Sequence, residues 1–258
     1  MILTSEGLSV DLNGEALRLE DFYISGYGIK AHLGAADGLS GKRLHKMAFG
    51  ERDIKIEGYI ASNLEENRRL LAKICTQDKP FYIIDGDYRL EAVAKRGLEI
   101  SCQKRFLNKL LKFTVYAKSV SPLWQGTSEQ VEEFYSIGGV SNQDKNIKIT
   151  NSGDAPTGFL LEVSMRTSAD KLMITKNGEY IDLVRHFAIG DKVLIDTRRG
   201  KKGVTLIPSD GTGETGIMDS LAMGSTFFEL DAGENTLGFS VITGLTNMTF
   251  TFSPCYLR

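Results

Sequence analysis

Apolar and polar residues alternate in short bursts along most of this chain, and glycines or Asn-Gly steps separate the bursts. Near the start, Leu8, Val10 and Leu12 alternate with polar neighbours and run into Asn13-Gly14, which predicts an opening hairpin or meander. In DIKIEGYI, Ile54, Ile56 and Ile60 share one face with Gly58 between them, the pattern of a half-buried strand that bends or bulges at the glycine. PFYIID, YRLEAV, GLEISC and LKFTVYAK keep the same period, and in the last Leu111, Phe113 and Val115 oppose Lys112, Thr114 and Tyr116. One segment reads differently. NLEENRRLLAKICTQ carries Leu64, Leu71, Ile74 and Cys75 at helical spacing, with Asn63 as N-cap and Glu66 three residues on, as in a capping box. Between Ala31 and Phe49 glycine and charge dominate, which predicts a long loop or arm open to partners.

The pattern breaks around SPLWQGTSEQVEEFYSIGG, where Pro122, the sole tryptophan Trp124 and several glycines interrupt it. This places a domain boundary there, giving domains 1–135 and 136–258. Beyond it come NIKITN, TGFLLEVSM, KLMITKNGEYIDLV, KVLIDT, GVTLIP, TFFELD, TLGFSVI and NMTFTFS, with Asn177-Gly178 as a two-residue hairpin turn. Gly190-Asp191 is a turn ahead of a strand in which Val193 and Ile195 share one face and Leu194 and Asp196 the other. Ala-Gly-Glu-Asn, between FFELD and TLGFSV, predicts a tight hairpin. The fold class is therefore mainly β: a β-sandwich-like first domain decorated by one helix, then a galectin-like or jelly-roll sandwich.

Composition narrows the function. A formal net charge of -2, balanced in both parts, leaves no basic excess for phosphate-backbone binding, so specific nucleic-acid contact is not expected. Short basic clusters such as Lys42-Arg43, Arg68-Arg69 and Arg198-Arg199 read as solvated faces. MILTSEGLSV lacks the basic and apolar parts of a signal peptide, and no apolar run is long enough for a membrane span. The expected place of synthesis is a cytoplasm. Cys75, Cys102 and Cys255 are odd in number and widely spaced, which suits buried free thiols better than zinc or redox pairs.

Candidate chemistry is sparse. His32, His45 and His186 stand singly, without ligand or triad spacing, and read as surface or loop residues. Gly211-Thr212-Gly213-Glu214-Thr215-Gly216 lacks the lysine and helix of a phosphate loop and reads as a strand connection. Asp182, Asp191 and Asp196 are conceivable as glycosidase acids, yet Asp191 falls in a turn and Asp196 at a strand end, where aspartate satisfies backbone donors. Phe159, Phe227, Phe228, Phe239, Phe250 and Phe252 are assigned to strands and mostly to a core, leaving Tyr180 and Tyr256 for stacking on a sugar. No catalytic, metal or cofactor residue is assigned, and no ligand-binding residue is fixed.

The order of these segments carries more than any one of them. IGDKVLIDT, a gap, GVTLI, a gap, FFELDAGENTLGFSV and a closing NMTFTFSP resemble the C-terminal domain of distal tail proteins (Dit) of long-tailed, siphovirus-type bacteriophages. GERDIKIEGYI, NLEENRRLLAKI and KPFYIIDGDYRLEAVA are similar to the family's strand, helix and strand succession, SPLW to its exit from the first domain, and NIKITNSGDAPTGFLLEV to its entry into the second. The resemblance implies a structural hub without enzymatic activity or cofactor. Its first domain would assemble into a homo-hexameric ring joining the tail tube protein to the tail-tip and other baseplate proteins in the virion tail. The alternative is a carbohydrate- or cell-surface-binding sandwich module, which needs an open groove lined by aromatic and polar side chains.

Overall fold

The computed structural model describes residues 1–35, 42–76, 78–102, 110–138, 145–242 and 244–258. They gather into two units, Met1–Thr127 with Arg258, and Ser128–Leu257. Residue 135 lies within a strand of the second unit, Gln130–Gly138, where Phe134 sets its ring edge-on against Phe250 at 6.0 Å.

The first unit contains β1 (Ile2–Ser5), β2 (Leu8–Asp11), β3 (Leu17–Ile24), β4 (Ile29–Ala35), β5 (Lys42–Phe49), β6 (Asp53–Ile60), α1 (Leu64–Ile74), β7 (Pro80–Asp85), β8 (Tyr88–Ala94), β9 (Glu99–Cys102), β10 (Leu111–Ser119) and β11 (Trp124–Gly126). An antiparallel sheet runs β2-β1-β7-β8-β10-β6-β3, with β9 on β10 and β11 on β8. The period of two is real: Ile54, Ile56 and Ile60 of β6 and Phe113, Val115 and Ala117 of β10 are buried. α1 lies against β1, β2 and β6 and buries Leu71, Ile74 and the following Cys75.

Several expectations change here. The opening hairpin turns at Glu6-Gly7, both left-handed at φ 49 and 81, rather than at Asn13-Gly14, which links β2 to β3. The irregularity opposite Gly58 sits on β3, between Leu19 and Asp21, and Gly58 itself is needed for space. A Cβ there would lie 2.6 Å from the Phe113 ring and 2.5 Å from the Arg18 carbonyl. Asn63 does not cap α1 with its side chain; it takes a left-handed backbone, φ 46, and its carbonyl accepts from the Asn67 N–H. β10 is an interior strand paired on both sides by β6 and β8, so LKFTVYAK is not an edge. Trp124 is a buried residue of β11 and not part of a linker. Instead of a loop over 31–49, β4 and β5 pair as a two-stranded hairpin with an irregularity between His32 and Leu33. The tip, 36–41, lies outside the described residues.

The second unit contains β12 (Gln130–Gly138), β13 (Lys145–Asn151), β14 (Leu160–Met165), β15 (Ala169–Lys176), β16 (Glu179–Phe187), β17 (Lys192–Asp196), β18 (Gly203–Ile207), β19 (Thr215–Gly216), β20 (Gly233–Ile242), β21 (Leu245–Phe252) and β22 (Cys255–Tyr256). One sheet runs β12-β21-β14-β17-β18-β19 and the other β13-β20-β15-β16. Both supply one core, in which Leu161, Val163, Val193, Ile195 and Phe250 meet Ile149, Leu172, Ile174, Leu183 and Phe239. That is a sandwich built from the inward residues of two antiparallel sheets. Asn177-Gly178 turns β15 into β16 at φ 51 and 88, as expected for this pair.

Ala-Gly-Glu-Asn, by contrast, is not a hairpin turn. Gly233, Glu234 and Asn235 already belong to β20, paired with β13, and FFELD is an irregular segment. The buried Asn235 amide closes that segment, accepting from the Asp231 N–H at 2.8 Å and donating to the carbonyls of Asp231 at 2.8 Å and Gly233 at 3.0 Å. Phe228 still reaches the core from this segment, as does Leu230, while Phe227 is only partly buried.

Candidate functional site

The residues with chemical promise are dispersed into structural tasks. Asp182 pairs through Oδ2 with Lys171 Nζ at 2.9 Å. Asp191 accepts from the Ala188 and Ser209 N–H groups at 2.8 and 2.9 Å, fixing the turn at Gly190. Asp196 holds Arg198 in a two-pronged bridge at 2.6 and 2.9 Å, and this partner raises the Arg198 guanidinium above its ordinary value. Each of these acids has its own partner, an arrangement unlike a pair of carboxylates flanking a bond. His186 Nδ1 lies 2.6 Å from Asp170 Oδ1 on an exposed surface. His32 and His45 belong to β4 and β5.

Burial pushes the Cys75 thiol up to about 12 and raises Cys255 as well, the opposite of what a nucleophile needs. Cys102 corrects the expectation of three buried thiols: it is exposed at the end of β9, a strand paired with β10. Among the described residues no group of His, Cys, Asp and Glu is arranged to hold a metal. Residues 211–214 form a loop leading into β19 at Thr215–Gly216, followed by a single turn of 3-10 helix, Met218–Ser220. Tyr180 spends its hydroxyl on the Met223 carbonyl at 3.0 Å, and Tyr256 sits on β22.

What the fold leaves open is strand edges. In the first unit β2 and β3 end the sheet, and Tyr23 of β3 is more than half exposed. Among the described residues the β4–β5 hairpin pairs with no other sheet. Its base is clamped: the Ser25 N–H donates to the Asp53 carbonyl, Ser25 Oγ accepts from the Asp53 N–H, and buried Arg52 donates from Nε to the Ser25 carbonyl at 2.7 Å. Burial lowers the Arg52 guanidinium from its ordinary value, and the Tyr27 ring lies 4.7 Å beneath it.

In the second unit the edges differ in their protection. The outer edge of β16 is sealed by a turn, with the Ala222 N–H on the Asp182 carbonyl at 2.8 Å and the Thr226 N–H on the Tyr180 carbonyl at 2.7 Å. β12 has β21 as its only ladder partner among the described residues. It exposes Val131 at 54% and Tyr135 at 65% relative area, large values for apolar groups on an edge. From Ser128 to Asp144 the chain has no Lys or Arg but carries Glu129, Glu132, Glu133 and Asp144. The sequence showed these residues but not that they border an open ladder, because an edge is defined by which strand fails to arrive.

Comparison with known proteins adds the context. Residues 152–256 match the model of the siphovirus-type tail component, C-terminal domain. The distal tail resemblance extends to the fold of the whole chain. The crystal structure of SPP1 Dit (gp 19.1), described as a paradigm of the hub adsorption apparatus in phages infecting Gram-positive hosts, superposes with a TM-score of 0.71 at 14% identity over 99% of both chains. A chain of the phage P2 baseplate in its activated conformation with Ca gives 0.51 at 10% identity over 95% of this chain and 93% of that one. The form with Sr gives 0.51 at 10% over 98% and 96%. No curated protein matches by sequence. The segment similar to the tail component's C-terminal domain thus sits in a chain whose neighbours in fold are a phage hub protein and chains of a phage baseplate.

Proposed function

We propose that this chain is a distal tail protein whose copies close into a ring, six by the family resemblance, joining the tail tube to the tip or baseplate of a siphovirus-type virion. The observation that carries the reading is the tail-family match over 152–256 together with a fold shared along 99% of SPP1 Dit. Open edges agree with it. A closed ring requires heterologous contacts, one patch meeting a different patch on the next copy, and the first unit offers β2, β3 and a hairpin paired to no sheet. On this reading the first unit, with the 1–135 segment read from the sequence, makes the ring, and tail tube, tail-tip and other baseplate proteins bind its faces. The dispersal of Asp182, Asp191, Asp196 and His186 into separate pairs agrees with a scaffold rather than a hydrolase.

Negative-stain imaging of the purified full chain tests this: the expected particle is a ring with a central hole. A monomer at every concentration that instead binds one glycan specifically would replace the hub with a surface-binding module.

A further inference from the structure

We infer that Asp85, Tyr88 and Trp124 form a receptor slot for an arginyl residue, and that Arg258, seated in it, latches the base of the β4–β5 hairpin. The slot, its occupant and the hairpin base all belong to the first unit. The inference stands with or without a ring.

Sheet register builds the slot. Asp85 and Tyr88 are directly opposed at the β7–β8 turn, where Gly86 takes φ 60. Gly126 of β11 pairs with Tyr88, so Trp124, two residues earlier on the same face, is the diagonal neighbour of Tyr88. One carboxylate and two aromatic rings thus stand side by side on three adjacent strands. The Arg258 guanidinium enters among them. Its central carbon is 4.3 Å from the Tyr88 ring centre and 5.4 Å from that of Trp124, and Nη2 is 3.4 Å from Asp85 Oδ2. Ring faces attract the planar cation, and the carboxylate fixes its direction. Arg96 over Tyr116 and Arg89 over Tyr82 use one ring each, whereas Arg258 uses two rings and an acid.

The backbone of the same residue has a second task. Its carbonyl accepts from the Tyr27 hydroxyl at 3.2 Å and from Arg52 Nη1. Arg52 is only 4% exposed, so losing this acceptor would leave a buried donor unpaired. The Arg52 main chain is fixed to β10: its N–H donates to Ser119 Oγ at 2.9 Å, and the Ser119 N–H donates to its carbonyl at 3.0 Å. Its side chain holds the Ser25 carbonyl through Nε at 2.7 Å. Ser25 precedes β4 and Arg52 follows β5, so this one guanidinium closes the hairpin across its base. Arg258 supplies the acceptor that aims it.

Amide-resolved hydrogen exchange on the full chain tests the latch. Its reporters are the Ser25 N–H, held by the Asp53 carbonyl, and the Asp53 N–H, held by Ser25 Oγ. Arg258→Ala speeds exchange at both by about tenfold or more, and leaves Ile56 and Val115, paired in the middle of the β6–β10 ladder, within about twofold. Tyr88→Leu moves the same two reporters in the same direction. Joined to Arg258→Ala it adds less than about threefold, because both changes remove one contact. Unchanged reporters in Arg258→Ala, an equal rise at Ile56 and Val115, or independent effects of the two substitutions would each overturn the latch. None of these results touches the hub reading.

Discussion

At the scale of single residues, function shows mainly as what the side chains are prevented from doing. Cys75 is held under α1 where its thiolate is strongly disfavoured, with the thiol pushed up from its ordinary 9.0 to about 12. Because the folded value is raised, the associated stability is fully present below pH 9 and is lost as pH climbs toward 12, where the unfolded chain ionises and the folded one resists. The expected result is that the melting temperature of the original chain falls more steeply between those pH values than that of Cys75→Ala, measured by circular dichroism. Parallel curves would show that the buried thiol does not couple to stability. At neutral pH a thiol reagent should label Cys102 in the native protein and reach Cys75 and Cys255 only after unfolding.

At the scale of elements, the strand period was legible wherever local alternation decides the outcome. β6, β10, β15, β17 and β18 follow it, and so does the Asn177-Gly178 turn, whose left-handed backbone is set by two adjacent residues. It failed where a distant partner decides. Gly233–Asn235 looks like a turn in isolation, but β13 recruits it into β20 and the Asn235 amide ties off the segment before it. Asn235→Leu removes an acceptor and two donated bonds from a buried position. The expected cost is about 2–4 kcal/mol, since orphaned buried polar groups are expensive. Denaturant unfolding of the variant measures it, and a loss under about half a kcal/mol would show that the amide is replaceable by water. The 31–49 hairpin was missed for a related reason: its glycines and charges suit a loop, and only ladder formation between β4 and β5 reveals the strands.

Across the whole molecule, the residues gather into two units, Met1–Thr127 with Arg258 and Ser128–Leu257. Calorimetry should resolve two transitions, and Asn235→Leu should lower only the one belonging to Ser128–Leu257. One transition displaced as a whole by that substitution would mean that the units unfold as one. Of the candidate site, the charged residues were visible in the sequence, yet their overall balance concealed their segregation. Dividing the chain at Thr127 leaves Lys and Arg in excess in the first unit and Asp and Glu in excess in the second. Open edges cannot be read from composition at all, because they arise from sheet order.

The β4–β5 hairpin brings its own ladder and is fastened at its base by Ser25, Arg52 and Asp53. Among the described residues it shares no ladder with the three larger sheets, so its opening leaves their ladders intact. In the ring proposed above, subunit exchange through this hairpin is expected on the timescale of a local opening, far faster than global unfolding. A ring built that way corrects a misplaced neighbour while every copy stays folded.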